Sequence, residues 1–439
     1  VLLGLRRLPG RAVRLLVLLA VLLVGCTGCS GPDDAPAPPP AHDPPNAFGP
    51  PSGTLLRGTS SALTGAYGSA PELPIALDGT TIWLADSGGL ARADSSASTT
   101  AVALPPGRWV AGAPRPVPGA GLVLAASAST VPGSGTTPPG LALELLAVTR
   151  TASGDPTVSW TAAAPLPWTE SPRSVRTAVV GVAAAGDGHR VAVLSATTGT
   201  HRASLAVDLD TRRVLWVADG VVAGAVLDGR LPDGEPLPGA VVPPGAQGAT
   251  VVGAAVPAGG GSGYTPSSVV GLDVLTGARR FVADAGDTAL SVSRAGPSAA
   301  VVGGRRSGDA RAFLSVLGAD GTARPDVDLG TAGSAPRCVW DEATVTVCSG
   351  PNRTFALDAV SAGLLWSLPA AGRVPPQVTT AWHGAVYGTT VNGPVVVDAR
   401  TGRDRNPGPG AAPVVVDAYL GVGPGSGLLG GVVITPATG

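Results

Sequence analysis

From about residue 75 onward the chain alternates short Val- and Ala-rich runs with Gly, Pro, Asp and Thr. Arg190-Val191-Ala192-Val193-Leu194 and Ala343-Thr344-Val345-Thr346-Val347 have the length and β-branched content of strands. No stretch of ten or more residues carries the polar face of an amphipathic helix. The pattern predicts an all-β body of short strands joined by tight turns.

Four segments align without a gap: residues 206–216, 271–281, 356–366 and 396–403. Each reads as a strand, an Asp (Asp208, Asp273, Asp358, Asp398), a short turn often holding Thr-Gly, and a second strand. Trp216, Phe281 and Trp366 fall eight residues after the Asp; the fourth copy has Asn406 there. An Asp side chain accepts from backbone amides two or three residues on, and Gly takes the positive-φ position. The Asp residues are therefore expected as structural turn formers, and the three aromatics as packing between repeats.

The spacing is 40 from Asp358 to Asp398 and 85, close to two units of about 42, from Asp273 to Asp358. A degenerate copy lies midway at 314–322, and earlier candidates lie at 82–86 and 145–160. This is the size of a four-stranded propeller blade. Helical HEAT repeats share the period, but Val, Thr, Gly and Pro in these units oppose helix. A β-propeller of four-stranded blades over 75–439 is expected. Seven blades fit best, at 75–105, 109–165, 175–219, 221–285, 289–330, 333–370 and 376–439, with eight the next count. An N-terminal strand pairing into the last blade would close the ring and remove exposed sheet edges.

The repeat resembles that of the PQQ-like, or quinoprotein-alcohol-dehydrogenase-like, β-propeller family, which runs apolar-Ala-Leu-Asp-x-x-Thr-Gly-x-x-x-Trp. The resemblance covers roughly 75–439 and is sharp in the four copies. It implies the propeller fold. The family's dehydrogenases hold a quinone with a vicinal disulfide, a calcium-binding carboxylate and amide, and a catalytic Asp. No two of the four Cys here are adjacent, so no cofactor is expected.

The N-terminus adds a location. Arg6, Arg7, Arg11 and Arg14 precede ten residues, 15–24, without a polar group. Ten residues span only ~15 Å as a helix, too little for ~30 Å of hydrocarbon, and the arrangement is that of a secretion signal. Leu23-Val24-Gly25-Cys26 resembles a bacterial lipobox, which implies cleavage before Cys26 and a diacylglycerol on its sulfur. Residues 1–25 are then signal peptide, and 26–70, rich in Pro, Gly and Ser, a lipidated tether. The expected location is the outer face of the bacterial cell membrane, held by lipid.

Cys338 and Cys348 lie ten apart around a predicted hairpin centred on Ala343. In an exported protein, two Cys facing each other across adjacent strands form a disulfide. Cys29 is left over in the tether.

Beyond residue 25 there are 25 basic residues (29 − 4) against 30 acidic ones, so a nucleic-acid surface is not indicated. The chain has no Lys, which excludes a Walker loop and lysine-based chemistry. His42, His189, His201 and His383 are scattered and read as surface or packing residues. No catalytic residue and no metal site is assigned. The pairs Asp208/Asp210 and Asp326/Asp328 are compatible with calcium, but alternating acids on a strand edge are commonly just solvated.

The expected function is an anchored, non-enzymatic binding or scaffold module. Its partners would be the membrane through the lipid, and another envelope or secreted protein or a glycan. The alternative is an extracytoplasmic oxidoreductase or hydrolase with its site in the central channel.

Overall fold

The structure is a computed structural model. It describes residues 39–55, 73–86, 89–136, 138–149, 154–184, 188–232, 234–238, 249–256, 267–306, 311–324, 327, 329, 335–425 and 431–439. The chain divides into two units, 1–40 and 41–439, and the second carries every described strand. Cys26, Cys29 and Asp326/Asp328 lie outside the described residues.

Except in the last blade, the strands form antiparallel meanders in which chain order equals spatial order. We letter them a to d from the channel outward. Blade one holds Ile75–Asp78, Thr81–Asp86, Gly89–Ala93 and Thr99–Ala101. In blade two the inner strand is split into Arg108–Val110 and Arg115–Val117, both paired with Leu122–Val131. Gly140–Thr149 and Val158–Leu166 complete it. Blade three is Arg176–Ala184, Arg190–Thr197, Arg202–Asp208 and Arg213–Asp219. Blade four starts with Val221–Leu227, Thr250–Ala255 and Ser267–Asp273. The long strand Arg279–Arg294 first pairs with Ser267–Asp273 and then with Ala299–Arg305. It is thus the outer strand of blade four and the inner strand of blade five, which continues through Ala312–Gly318. Blade six spans residues 337–368 and blade seven 377–406.

The count is eight, not the expected seven. The last span of the sequence reading, 376–439, holds two sheets. Blade eight takes Val415–Val416, Leu420–Pro424 and Val432–Pro436 from the C-terminus. Its outer strand, Gly53–Leu55, comes from the other end of the chain and pairs with Val432–Pro436. With one strand missing locally and no Asp-Thr-Gly copy, this blade had no repeat to be counted by.

Packing gives the same number. Among the described residues there are eight buried apolar clusters, one at each junction of neighbouring blades around the ring. The largest joins blades two and three through Leu124, Leu143, Leu145, Trp168, Leu194 and Leu205. The cluster between blades eight and one joins Leu55, Ile75, Ile82, Leu84, Val422 and Ile434. Each blade is apolar on both faces because each face meets a neighbour, which explains the near-continuous burial of Val191–Ala196 and Leu205–Val207.

Residues 41–55 fall inside the stretch expected as a tether, and the structure places them in the folded unit. Phe48 is buried with Tyr387, Val396 and Val416, between blades seven and eight. Within this stretch only Gly53–Leu55 forms a strand, and residues 41–52 run in bends before it.

Cys338 and Cys348 stand directly opposite each other on the a and b strands of blade six and are joined by a disulfide, as expected.

Candidate functional site

In an up-and-down blade the a–b and c–d turns share one face of the ring, and the repeat places its polar residues there. Asp273 accepts from the amides of Leu275 (3.0 Å) and Thr276 (2.8 Å) and from the Thr276 hydroxyl (3.0 Å). Asp208, Asp358 and Asp398 repeat this with Thr211, Ser361 and Thr401. Burial opposes ionisation of Asp208, Asp273 and Asp358. The amide and hydroxyl donors outweigh it and hold all three carboxyls below the usual range. Just before each Asp the c–d register slips by one residue, at Ala206/Val207, Gly271/Leu272, Ala356/Leu357 and Val396/Val397. This bulge re-aims the d strand and its aromatic.

The aromatics reach the next blade. The Trp216 indole N–H of blade three donates to the Val274 carbonyl of blade four (2.8 Å). That of Trp366 in blade six donates to Ala399 in blade seven (2.7 Å). The rings lie on the turn glycines: a Cβ at Gly277 would fall 2.7 Å from Trp216 Cγ, and one at Gly402 2.8 Å from Trp366 Cδ2. Both glycines have positive φ, +68° and +70°. The glycine therefore answers two demands, the left-handed turn and the flat seat for an indole. Phe281 of blade four sits on Gly321 of blade five in the same way, without a donor.

The a–b turns form an inner ring. The Asp341 carboxylate accepts from Ala343 and Val345 of its own turn and, across the junction, from Gly384 of blade seven (3.1 Å). In return the His383 amide donates to the Asp341 carbonyl (2.7 Å). Asp417 of blade eight accepts from the Tyr419 and Leu420 amides of its own turn through Oδ1, and its Oδ2 is buried without a hydrogen-bond partner. Burial raises Asp341 above its usual value and lifts Asp417 to about 6, with Asp78 adding like-charge repulsion to the latter.

The junctions of blades four to six carry a half-buried ion pair. Arg294 donates to the Asp228 carboxylate (3.0 Å), to the Arg230 carbonyl (2.7 Å) and to the Gly296 carbonyl (3.0 Å). Its guanidinium covers Trp340 at 4.7 Å. Burial raises Asp228 against the pull of Arg294. Arg115 crosses from blade two to the Val180 carbonyl of blade three.

The four His, scattered in sequence, divide in the structure. His201 stacks on Trp168 and reaches Glu170. His383 stacks on Trp382 and contacts Asp43 at 2.6 Å. The His42 amide donates to the Ala418 carbonyl. His189, on the a–b turn of blade three, meets Asp208 at 3.1 Å, and His189, Asp208 and Asp210 bring donor atoms within 4.8 Å of one another. Sequence reasoning singled out Asp208 and Asp210 but not their contact with His189. It missed Phe48, Asp228, Asp341, Asp417 and Arg294.

The architecture defines the chain as an eight-bladed β-propeller. No protein-family model matches the sequence, and no curated protein matches it. Among solved structures, the Dos1 propeller is similar at 12% identity and a TM-score of 0.47, covering 90% of this chain and 94% of that one. A eukaryotic initiation factor is similar at 10% identity and a TM-score of 0.41, covering 82% and 83%. These likenesses concern fold alone.

Proposed function

We propose that this chain is an exported, lipid-anchored propeller of the PQQ-like repeat type. It serves as a binding or scaffold module on the outer face of the bacterial cell membrane. The observation that carries the proposal is the Cys338–Cys348 disulfide, a bond that persists in oxidising compartments and is rare in the cytosol. It agrees with the basic, apolar and Cys26-terminated N-terminus. The repeat type is supported by the Asp-x-x-Thr-Gly turns and by the indoles of Trp216 and Trp366 reaching the next blade. The binding role is supported by where the polar groups are spent. The four repeat Asp carboxylates and the Asp341 and Asp417 carboxylates hold turns and junctions. The ring is thereby a rigid platform whose loops are left to meet a partner, an envelope or secreted protein or a glycan.

The test is intact mass on detergent-extracted protein, with Cys26→Ser alongside. The expected result is cleavage before Cys26 plus acyl chains, and loss of the variant from the membrane fraction. An uncleaved, unacylated chain in the cytosolic fraction overturns the anchor. Crosslinking in cells then reads the partner, and a stoichiometric quinone in the purified protein would replace the binding role with redox chemistry.

A further inference from the structure

Blade three alone among the four repeats joins a second acid after the turn Asp to a His on the a–b turn; blade seven has the equivalent His, His383, but Arg400 in place of the acid. At the second position after the turn Asp it carries Asp210, where blades four, six and seven carry Leu275, Val360 and Arg400. On the a–b turn beside it stands His189. The fold brings the two together: the c–d turn supplies Asp208 and Asp210, and the a–b turn supplies His189. Asp208 is only 7% exposed. Its Oδ1 is held by the Asp210 and Thr211 amides (2.8 and 2.9 Å), which fixes the carboxylate plane and aims Oδ2 at His189 Nδ1.

From this geometry we infer that His189, Asp208 and Asp210 form a site for a divalent transition-metal ion of the zinc class. One imidazole nitrogen and two carboxylate oxygens suit such an ion, and three protein ligands leave a fourth position open to solvent. The spacing fits. Two ligands on a tetrahedral ion with bonds of about 2.0–2.2 Å stand roughly 3.3 Å apart, against 3.1 Å from His189 Nδ1 to Asp208 Oδ2. The three donor atoms, all within 4.8 Å, close on an ion with small side-chain adjustments. The Asp208 plane is set in advance by its turn, so little ordering is left for binding to bring about.

One group competes. The Arg190 amide and guanidinium both donate to Asp210, at 2.9 and 3.2 Å. The guanidinium half of this contact is an exposed ion pair, with side chains 37% and 38% accessible, and such pairs hold weakly. An ion displaces the guanidinium and leaves the amide in place. The site thus predicts its own modulator: removing the Arg190 charge strengthens metal binding.

The experiment is titration of the tag-free full chain, freed of metal, with Zn2+ alone. Calorimetry reads the stoichiometry, and thermal unfolding with and without Zn2+ gives a second readout. The expected result is one ion per chain. His189→Ala and Asp210→Asn each lower the affinity at least tenfold, and Arg190→Gln raises it several-fold. Asp398→Asn, in the matching turn of blade seven, leaves it unchanged. Circular dichroism of the metal-free variants shows whether they are folded, and neither His189 nor Asp210 fills a core position. Absence of binding by the folded chain at 100-fold molar excess overturns the site. Binding that survives either the His189 or the Asp210 substitution overturns it too, as does a drop in affinity with Arg190→Gln.

Discussion

The Asn406 side-chain amide donates to the Asn46 carbonyl at 2.8 Å, joining residues 360 apart in sequence. Asn406 pairs with Val396 across its sheet, as Trp366 pairs with Ala356 one blade earlier. Where blades three and six send an indole into the next junction, blade seven sends a hydrogen bond to the N-terminal segment. That segment then supplies the missing aromatic, Phe48, against Tyr387 (ring centroids 5.8 Å apart) and Val396.

Phe48→Ala should therefore cost as much as removing a repeat aromatic, about 3–5 kcal/mol for a buried ring. Trp366→Ala should fall in the same range, because it loses the Ala399 bond together with its packing. Denaturant unfolding of both variants checks the equivalence. A Phe48→Ala cost below about 1 kcal/mol would show that the segment merely lies on the surface.

Gly277→Ala and Gly372→Ala separate strain from packing. Both positions have positive φ, +68° and +79°. A Cβ at Gly277 strikes Trp216, whereas at Gly372 it meets nothing within 4 Å. Gly372→Ala should cost about 1 kcal/mol, the left-handed penalty alone. Gly277→Ala should cost at least twice that, because the indole must also shift. Thermal midpoints of the two variants measure the difference.

The Asp417 carboxyl, raised to about 6 by burial with Asp78 nearby, makes the junction of blades eight and one sensitive to pH. A carboxyl whose folded pKa exceeds its unfolded value binds protons more tightly when folded. Its contribution to stability therefore falls as pH rises from about 4 through about 6. Asp417→Asn keeps an oxygen for the Tyr419 and Leu420 amides and removes the charge. The variant should be more stable than the parent at pH 8, and the gap should close toward pH 4. Unfolding free energies across that range give the test, and a gap that is flat with pH would remove Asp417 as its source.

Reduction of Cys338–Cys348, or replacement of both by Ala, should destabilise the protein by about 2–3 kcal/mol. This is the chain-entropy value for a loop of about ten residues. The loss should appear in non-reducing against reducing unfolding curves of the parent and vanish in the double variant.

Much of this was legible in the sequence because it was repeated. The Asp208, Asp273, Asp358 and Asp398 turns and the aromatics after them announced strand, turn, strand and blade. A disulfide across a ten-residue hairpin needed only alternation and spacing. What escaped was assembled from distant pieces. Blade eight borrows Gly53–Leu55, so its four strands never occur in succession. Asp341 acts through the Gly384 amide of the next blade, and a lone Asp after a strand gives no hint of that. His189 was visible as a turn residue after Gly-Asp-Gly. Its approach to Asp208 follows only once the a–b and c–d turns are known to share a face.

The strand Gly53–Leu55 is made first and finds its partner, Val432–Pro436, last. A ribosome moving along this message produces an open arc until Val432–Pro436 appears, so the ring shuts only after that strand is made. A chain stopped short of residue 432 leaves its first strand without a partner. It carries a raw sheet edge, the kind of template that pairs with other chains. Closure of the ring is tied to the strand that lies farthest along the chain.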